Sequence, residues 1–115
     1  MLKKQYRLRK NNAFKATYSN NVSKSNEFFK LYFGKLKEDP SCQTKVGFVV
    51  SKKNFKKAVI RNRVKRIMRE VYRLFVLNNE NIAVEKFFSL VFVCKSGLKP
   101  DFDAIKFHML SLLED

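Results

Sequence analysis

One stretch of the chain combines the chemistry of phosphate binding with the spacing of a helix. Residues 56–73 read KKAVIRNRVKRIMREVYR, in which eight of the eighteen residues are Lys or Arg and only Glu70 is acidic. The planar guanidinium of arginine can grip a phosphate through two hydrogen bonds and can stack on a base. Asn62, between two arginines, offers a donor and an acceptor to a base edge, a 2′-hydroxyl or a metal-bound water. These residue types predict a surface that binds a polyanion.

The apolar residues of the same stretch predict a helix that is buried along one side. On a wheel of 100° per residue they form a stripe about 120° wide. The cations lie outside that stripe, and like charges four residues apart disfavour a helix by a few tenths of a kcal/mol per pair. We therefore expect a ligand to supply negative charge. The predicted helix spans residues 55–77, with Asn54 as its N-cap.

Lysines gather just before this helix and in its first turn, at Lys52, Lys53, Lys56 and Lys57. Free N–H groups at a helix N-terminus also favour anions. If five to eight phosphates are neutralised, the logarithm of the affinity should fall with the logarithm of salt concentration at a slope of roughly −4 to −7.

The overall composition points to the same kind of partner. The chain has 115 residues and a net charge of +15, from 25 Lys and Arg against 10 Asp and Glu. Such an imbalance favours nucleic acid over an anionic membrane surface. No apolar run approaches the 18 residues of a membrane span, and no signal-peptide core follows the basic N-terminus. We expect a cytoplasmic protein that does not bind membranes.

The sequence offers no protein-based catalytic site. His108 is the only histidine and has no nucleophile motif nearby, and Asp101 and Asp103 are explained by helix capping. Cys42 and Cys94 are too few and too far apart for a metal site, so we expect two reduced thiols.

The order of elements predicts the fold class. We expect helices at 11–19, 55–77 and 102–113, a short edge strand at 22–24, and strands at 27–37, 44–51 and 86–95. Strands 27–37 and 44–51 should pair as an antiparallel hairpin, and the nearly continuous apolar run of 86–95 should be central. This pattern predicts a single α+β domain, residues 1–115, with helices on a four-stranded mixed sheet.

A second surface combines aromatic side chains with a cation. Phe14 and Tyr18 are four residues apart on the first helix, so they share one face. They either pack into the core or form an aromatic shelf at a binding surface. In strand 27–37 one face is the wholly apolar Phe29, Leu31 and Phe33, which should be core. The other face is Phe28, Lys30 and Tyr32, which is either an ordinary solvated face or a surface that stacks on RNA bases.

The segment RNRVKRIMRE, preceded by VGFVVSKKNFKKAVI, closely resembles the signature of the protein subunit of bacterial ribonuclease P. RLRKNNAFKATY is similar to the opening helix of that family, and SLVFVCKSGL to its last strand, so the resemblance covers nearly the whole chain. It implies an α-β-β-β-α-β-α sandwich with a left-handed βαβ crossover, similar to one domain of a small-subunit ribosomal protein.

The family resemblance also implies a function. Ribonuclease P is an endonuclease that removes the 5′ leader from precursor tRNA. Its RNA subunit performs the hydrolysis with bound Mg²⁺, whereas the protein assists, holds no metal through a motif of its own and is inactive alone. The expected partners are the RNA subunit and precursor tRNA, bound by a monomeric protein in a 1:1 ribonucleoprotein.

Carried over by position, the resemblance divides the site residues into two sets and assigns none to catalysis. Contact with the RNA subunit is expected from Lys53, Lys56, Lys57, Arg61, Asn62, Arg63, Lys65, Arg66, Arg69 and Arg73. Binding of the leader is expected from Phe14, Tyr18, Tyr32, Phe48 and Lys52. Two departures from the family pattern are Tyr18, where Phe is common, and the absence of a Gly before the basic helix.

Three other function classes compete with this interpretation. A ribosomal protein or an RNA chaperone would explain the charge and the fold, but not the Arg-Asn-Arg-x-Lys-Arg pattern. A DNA-binding regulator would need a free recognition helix. A membrane-surface protein would need an exposed apolar stripe, and here the stripe is required for the core.

Overall fold

The computed structural model describes residues 3–39, 41–53, 55–77, 82–95 and 101–113. Its elements in chain order are a 3₁₀ turn Lys4–Tyr6, α1 Asn11–Ser19, β1 Val22–Ser25, β2 Phe29–Phe33, β3 Lys45–Val50, α2 Ala58–Tyr72 with a π-helical continuation Arg73–Leu77, α3 Ile82–Glu85, β4 Ser89–Cys94 and α4 Phe102–Ser111. In this part of the chain no helix is both long and apolar enough to cross a bilayer.

The four strands form one mixed sheet in the order β1-β2-β4-β3. β1 pairs antiparallel with β2, β2 pairs antiparallel with β4, and β4 pairs parallel with β3. Because α2 lies between β3 and β4 in sequence, it forms the crossover of a βαβ unit. The predicted α+β fold with a four-stranded mixed sheet is confirmed. The left-handed sense of the crossover stays a prediction.

The predicted hairpin between strands 27–37 and 44–51, which correspond to β2 and β3, is wrong, because β4 lies between them. Every residue of β4 is buried except Val93, which is half-buried. A strand that is apolar on both faces gains most from a central place, where neighbours cover its faces and edges. The prediction that this strand is central is confirmed.

One face of the sheet carries the main core, against α2 and α4. The face Phe29, Leu31 and Phe33 of β2 is buried there, as predicted. From the helices, the buried residues are Val64, Met68, Val71 and Tyr72 of α2 and Ile105 and Met109 of α4, followed by Leu112.

The ends of the helices differ in how well the sequence predicts them. Asp101 caps α4 as predicted, since its side chain accepts a hydrogen bond from the Asp103 N–H at 3.3 Å. In contrast, α2 begins at Ala58 with Lys57 at its N-cap, and Asn54 lies outside the described residues. The predicted start at residue 55 is wrong because Phe55 is buried, only 6% exposed, in the loop that precedes the helix. At α1 the N-cap position is taken by Lys10, whose side chain makes no capping hydrogen bond.

The opposite face of the sheet is crossed by α1. The Oγ1 of Thr17, which is fully buried, lies 2.6 Å from the Oγ of Ser89 in β4. The side-chain amide of Asn20 donates to the carbonyls of Phe33 and Gly34 at 3.1 and 3.0 Å. These contacts fix the carboxyl end of α1 over the sheet.

The N-terminal segment covers the outer edge of β3. Arg7 forms a parallel bridge with Val46, and the Leu8 N–H donates to the Val46 carbonyl at 2.9 Å. Leu8 is only 8% exposed, so the segment is docked by an apolar contact as well as by the backbone.

Candidate nucleic-acid interface

The outer face of α2 is cationic along its whole length. Asn62, Arg63 and Arg66 are exposed, and Arg61, Lys65 and Arg69 are partly exposed. The sequence contains no acidic residue between Asp39 and Glu70, so no carboxylate of the helix or of the preceding loop offsets this charge before its last turn. The buried stripe predicted from the helical wheel supplies the opposite face of the same helix.

At the carboxyl end of α2, Glu70 engages one of the predicted RNA-binding cations. The Arg73 guanidinium donates to the Glu70 carboxylate through Nη2 at 2.9 Å and through Nε at 3.3 Å. The hydrogen bonds from Arg73 lower the pKa of Glu70, and the same contact raises the pKa of Arg73. Arg73 is therefore the member of the RNA-subunit set whose charge is already partly balanced within the protein.

Arg69, one turn earlier, lies near a second cation instead of a carboxylate. Its pKa is lowered, first by partial burial and then by the nearby charge of Arg7 in the N-terminal segment. The docking of this segment on β3 thus brings a further cation to the α2 surface, one that the sequence pattern did not place there.

The segment before α2 presents four lysines around an apolar anchor. In this lysine loop, the described residues 51–53 and 55–57, the exposed side chains include Lys52, Lys53, Lys56 and Lys57. Phe55 is buried, and its N–H donates to the Ser51 carbonyl at 3.0 Å. The anchor holds the loop against the core while the lysines stay in solvent.

Arg61 contacts this loop directly. Its Nη1 donates to the Phe55 carbonyl at 2.7 Å and to the Lys56 carbonyl at 3.0 Å. The sequence pattern placed Arg61 among the cations outside the apolar stripe but did not predict these bonds, because spacing along a helix does not show where a long side chain folds back.

Aromatic side chains from α1 and β2 meet on the other face of the sheet. The rings of Tyr18 and Tyr32 lie edge to face with centroids 4.7 Å apart, and Lys30 Nζ lies 4.8 Å from the centroid of Tyr32. Partial burial, followed by the nearby Tyr32, raises the pKa of Tyr18, so this hydroxyl stays protonated at neutral pH.

Phe14 completes this group through a contact with β3. A Cβ added to Gly47 would lie 2.5 Å from Cζ of the Phe14 ring, so only glycine leaves room for the ring there. Beyond Gly47 on the same face, the half-buried Val49 pairs with Val93, which in turn pairs with Lys30. We call this surface the α1 cleft, formed by Phe14, Tyr18, Tyr32 and Lys30 over the floor of Val49 and Val93.

Phe48 does not lie in the α1 cleft, and its assignment to the leader-binding set is corrected. It is 8% exposed on the core face, stacked on Phe92 at 5.9 Å and edge-on to Tyr72 at 6.0 Å. Successive strand residues point to opposite faces, so when Gly47 faces α1 its neighbour must face α2. A glycine inside a strand marks the close approach of another group, so Gly47 is the sequence signal that could have shown which face of β3 meets α1.

Lys52, the last member of the leader-binding set, is exposed in the lysine loop that follows β3. Lys30 was noted as a cation among aromatics but was not assigned to the site. Its position over the Tyr32 ring makes it part of the α1 cleft.

The remaining candidate groups are dispersed. In the described ranges no three His, Cys, Asp or Glu side chains come together as a metal site. The His108 ring packs edge-on against Phe28 at 4.4 Å and Phe107 at 5.1 Å. Cys42 is exposed and Cys94 is buried, and both are free thiols.

A family model described as Ribonuclease P matches residues 2–115. The chain belongs to the ribonuclease P protein family. Within it, the chain is the protein subunit of bacterial RNase P, a ribonucleoprotein enzyme that processes the 5′ end of tRNA. The resemblance read from the Arg-Asn-Arg segment is thereby confirmed.

Relatives of known name span nearly the whole chain. The ribonuclease P protein component of Thermoanaerobacter sp. (strain X514) is 33% identical over 114 residues, which cover 98% of this chain and 90% of the relative. That of Clostridium botulinum (strain Langeland) is 35% identical over 113 residues, covering 96% and 94%.

Solved structures of RNase P proteins share the fold. The protein from Staphylococcus aureus superposes with a TM-score of 0.76 at 26% identity, over 94% of this chain and 92% of that one. The protein from Thermotoga maritima gives a TM-score of 0.71 at 30% identity, over 93% and 94%.

Proposed function

We propose that this RNase P protein uses two surfaces for two RNAs. The basic face of α2, with Lys53, Lys56 and Lys57 of the lysine loop, binds the RNA subunit. The α1 cleft, with Lys52, binds the 5′ leader of precursor tRNA. The observation that carries this proposal is the separation of the two chemistries. On one side of the sheet α2 presents cations, with Glu70 in its last turn as its only acidic residue. On the other side aromatic rings lie with the cation Lys30.

The RNA-subunit surface is suited to folded RNA. Folded RNA presents closely spaced phosphates, which arginine and lysine side chains neutralise with release of counterions. The proposed contacts are Lys53, Lys56, Lys57, Arg61, Asn62, Arg63, Lys65, Arg66, Arg69 and Arg73, with Arg73 the weakest because Glu70 already engages it.

The α1 cleft is suited to a single strand. Bases of an unpaired leader can stack on exposed aromatic faces, and neighbouring lysines can meet the phosphates. Phe14, Tyr18 and Tyr32 supply the rings, and Lys52, with Lys30, supplies the charge. The edge-on contact between Tyr18 and Tyr32 holds these two rings at a fixed angle, which limits the entropy lost on binding.

The chemistry itself is proposed to belong to the RNA subunit. That subunit hydrolyses the phosphodiester bond with its own bound Mg²⁺, and the protein alone has no activity. The protein neutralises phosphates around the assembled site and holds the leader in place. We further propose a single cytoplasmic domain, residues 1–115, that is monomeric in a 1:1 ribonucleoprotein and does not bind membranes.

A cleavage assay tests the proposal. A 5′-labelled precursor tRNA is incubated at low Mg²⁺ with the RNA subunit alone, the protein alone, or both. We expect release of the leader at the mature 5′ end only in the mixture. Tight binding to RNA in general, with no stimulation of cleavage, would refute the proposal.

A further inference from the structure

Arg61 binds two backbone carbonyls of the lysine loop. Two adjacent carbonyls, those of Phe55 and Lys56, accept from the same Nη1 of Arg61 at 2.7 and 3.0 Å. Both carbonyls lie just before the first residue of α2, which begins at Ala58. The side chain thus reaches back from the fourth residue of the helix and ties the loop to it.

The other attachments of the loop lie upstream of these carbonyls or at its anchor. The Ser51 N–H approaches the Cys94 carbonyl at 3.5 Å, and the Ser51 Oγ accepts from the Lys53 N–H at 3.2 Å. The buried Phe55 ring fixes the middle of the loop. Lys56 and Lys57 follow this anchor, and among the described residues only Arg61 bonds a carbonyl of Phe55 or Lys56 through a side chain.

The lysines of this loop repel one another. Four exposed lysines lie within six residues, and the nearest acidic residues in sequence are Asp39 and Glu70. Like charges favour a spread of conformations over one defined arrangement. A cation that binds two carbonyl oxygens can hold the loop without cancelling its charge.

We infer that Arg61 is a positioning residue: it acts on the RNA subunit through the lysine loop, by holding Lys56 and Lys57 where they meet two neighbouring phosphates. The inference rests on the proposed function of this surface. It differs from simple contact, in which Arg61 would neutralise one phosphate and leave the loop unaffected.

Salt dependence of binding separates the two roles. Each phosphate contact changes the slope of log affinity against log salt by about 0.7 to 0.9. If Arg61 only touched one phosphate, Arg61→Ala would reduce the slope by that amount. Because it holds two lysines, we expect a reduction of about two contacts or more. Arg63→Ala is the matched control, since Arg63 is exposed on the same helix and should lose only one contact.

The experiment measures affinity of the full-length protein for the RNA subunit over a series of salt concentrations. Arg61→Ala is compared with Arg61→Lys, which keeps the charge but lacks the guanidinium geometry, and with Arg61→Gln if the alanine variant does not fold. In a double-mutant cycle, Lys56→Ala should cost less in the Arg61→Ala background than in the wild type.

Amide hydrogen exchange over residues 51–57 of the free protein is the second readout. We expect faster exchange in Arg61→Ala and unchanged exchange in Arg63→Ala. A slope reduced by only one contact, unchanged exchange, additive effects with Lys56→Ala, or full recovery in Arg61→Lys would each overturn the inference. If the wild-type protein shows no salt-dependent affinity for the RNA subunit, the proposed function fails, and the exchange data still decide whether Arg61 braces the loop.

Discussion

Gly47→Ala tests the α1 cleft by displacing one ring without removing any aromatic residue. The added Cβ would lie 2.5 Å from Cζ of Phe14. Carbon atoms in contact prefer about 3.5 to 4.0 Å, so the ring must retreat by roughly 1 Å or more. Phe14 is only half-buried, and its ring can therefore rotate away from the sheet toward solvent.

Gly47→Ala should change both the free energy of unfolding and the affinity for the leader. Overpacking costs about 1–3 kcal/mol, and replacing glycine by alanine recovers about 0.4–1 kcal/mol from the unfolded state. Because the ring can move outward, we expect a net loss of stability near 1 kcal/mol. Loss of one stacked base costs about 1–3 kcal/mol, which is roughly a five-fold to 150-fold loss of affinity.

The assay compares precursor tRNA with mature tRNA, both bound to the reconstituted holoenzyme. Gly47→Ala should weaken binding of the precursor and leave mature tRNA almost unchanged, because only the precursor carries a leader. Affinity of the protein for the RNA subunit should also be preserved, since α2 lies across the sheet.

A double variant provides the internal control. In a Phe14→Ala background the clash is absent, so Gly47→Ala should no longer reduce the thermal midpoint or weaken precursor binding further. An unchanged precursor affinity in Gly47→Ala would refute the assignment of Phe14 to the leader. An equal loss for precursor and mature tRNA would show that Phe14 acts through the fold.

Three further predictions concern the core, the basic surface and pH. Phe48→Ala should destabilise the protein by about 3–5 kcal/mol in thermal unfolding, because the ring fills the core, and a loss below about 1 kcal/mol would contradict its placement. Glu70→Gln should release Arg73 and steepen the salt dependence of RNA-subunit binding by about 0.7 to 0.9, whereas an unchanged slope would mean that Arg73 makes no contact. Burial raises the pKa of Tyr72 above its ordinary 10.0, so the stability it contributes is complete below pH 10.0 and is lost as pH rises beyond it. Thermal midpoints measured on both sides of pH 10.0 should fall less at high pH in Tyr72→Phe than in the wild type, and equal falls would contradict this reasoning.

Local patterns in the sequence predicted most elements of the fold. The apolar stripe of α2, the cap of α4 and the two-sided burial of β4 each follow from spacing within one segment. The pairing of β2 with β4 depends on segments about sixty residues apart, and no local pattern encodes it. The short connection between the predicted strands 27–37 and 44–51 favoured a hairpin, but the gain from placing β4 in the centre of the sheet outweighed it.

For the candidate site, too, the sequence predicted local features but not the contacts between distant side chains. Residue type and spacing identified the cations of α2 and the aromatic pair on α1. Strand alternation shows that Gly47 and Phe48 point to opposite faces of the sheet. It does not show which face meets α1, and one known contact, such as Phe14 with Gly47, is needed to place Phe48 outside the α1 cleft. The bonds from Arg61 to the lysine loop depend on a side-chain conformation, which only coordinates supply.

The central position of β4 has a consequence for synthesis of the chain. β2 and β3 are made first, yet neither can complete its pairing until β4, Ser89–Cys94, has left the ribosome. The hairpin of β1 and β2 is the only pairing among the described strands that can form earlier. A nascent chain that ends before residue 89 therefore exposes unpaired apolar strands. It also exposes the basic segment between Asp39 and Glu70, which contains no acidic residue. We expect this protein to fold late, after nearly all of it has emerged, and to be most prone to aggregation or nonspecific RNA binding just before then.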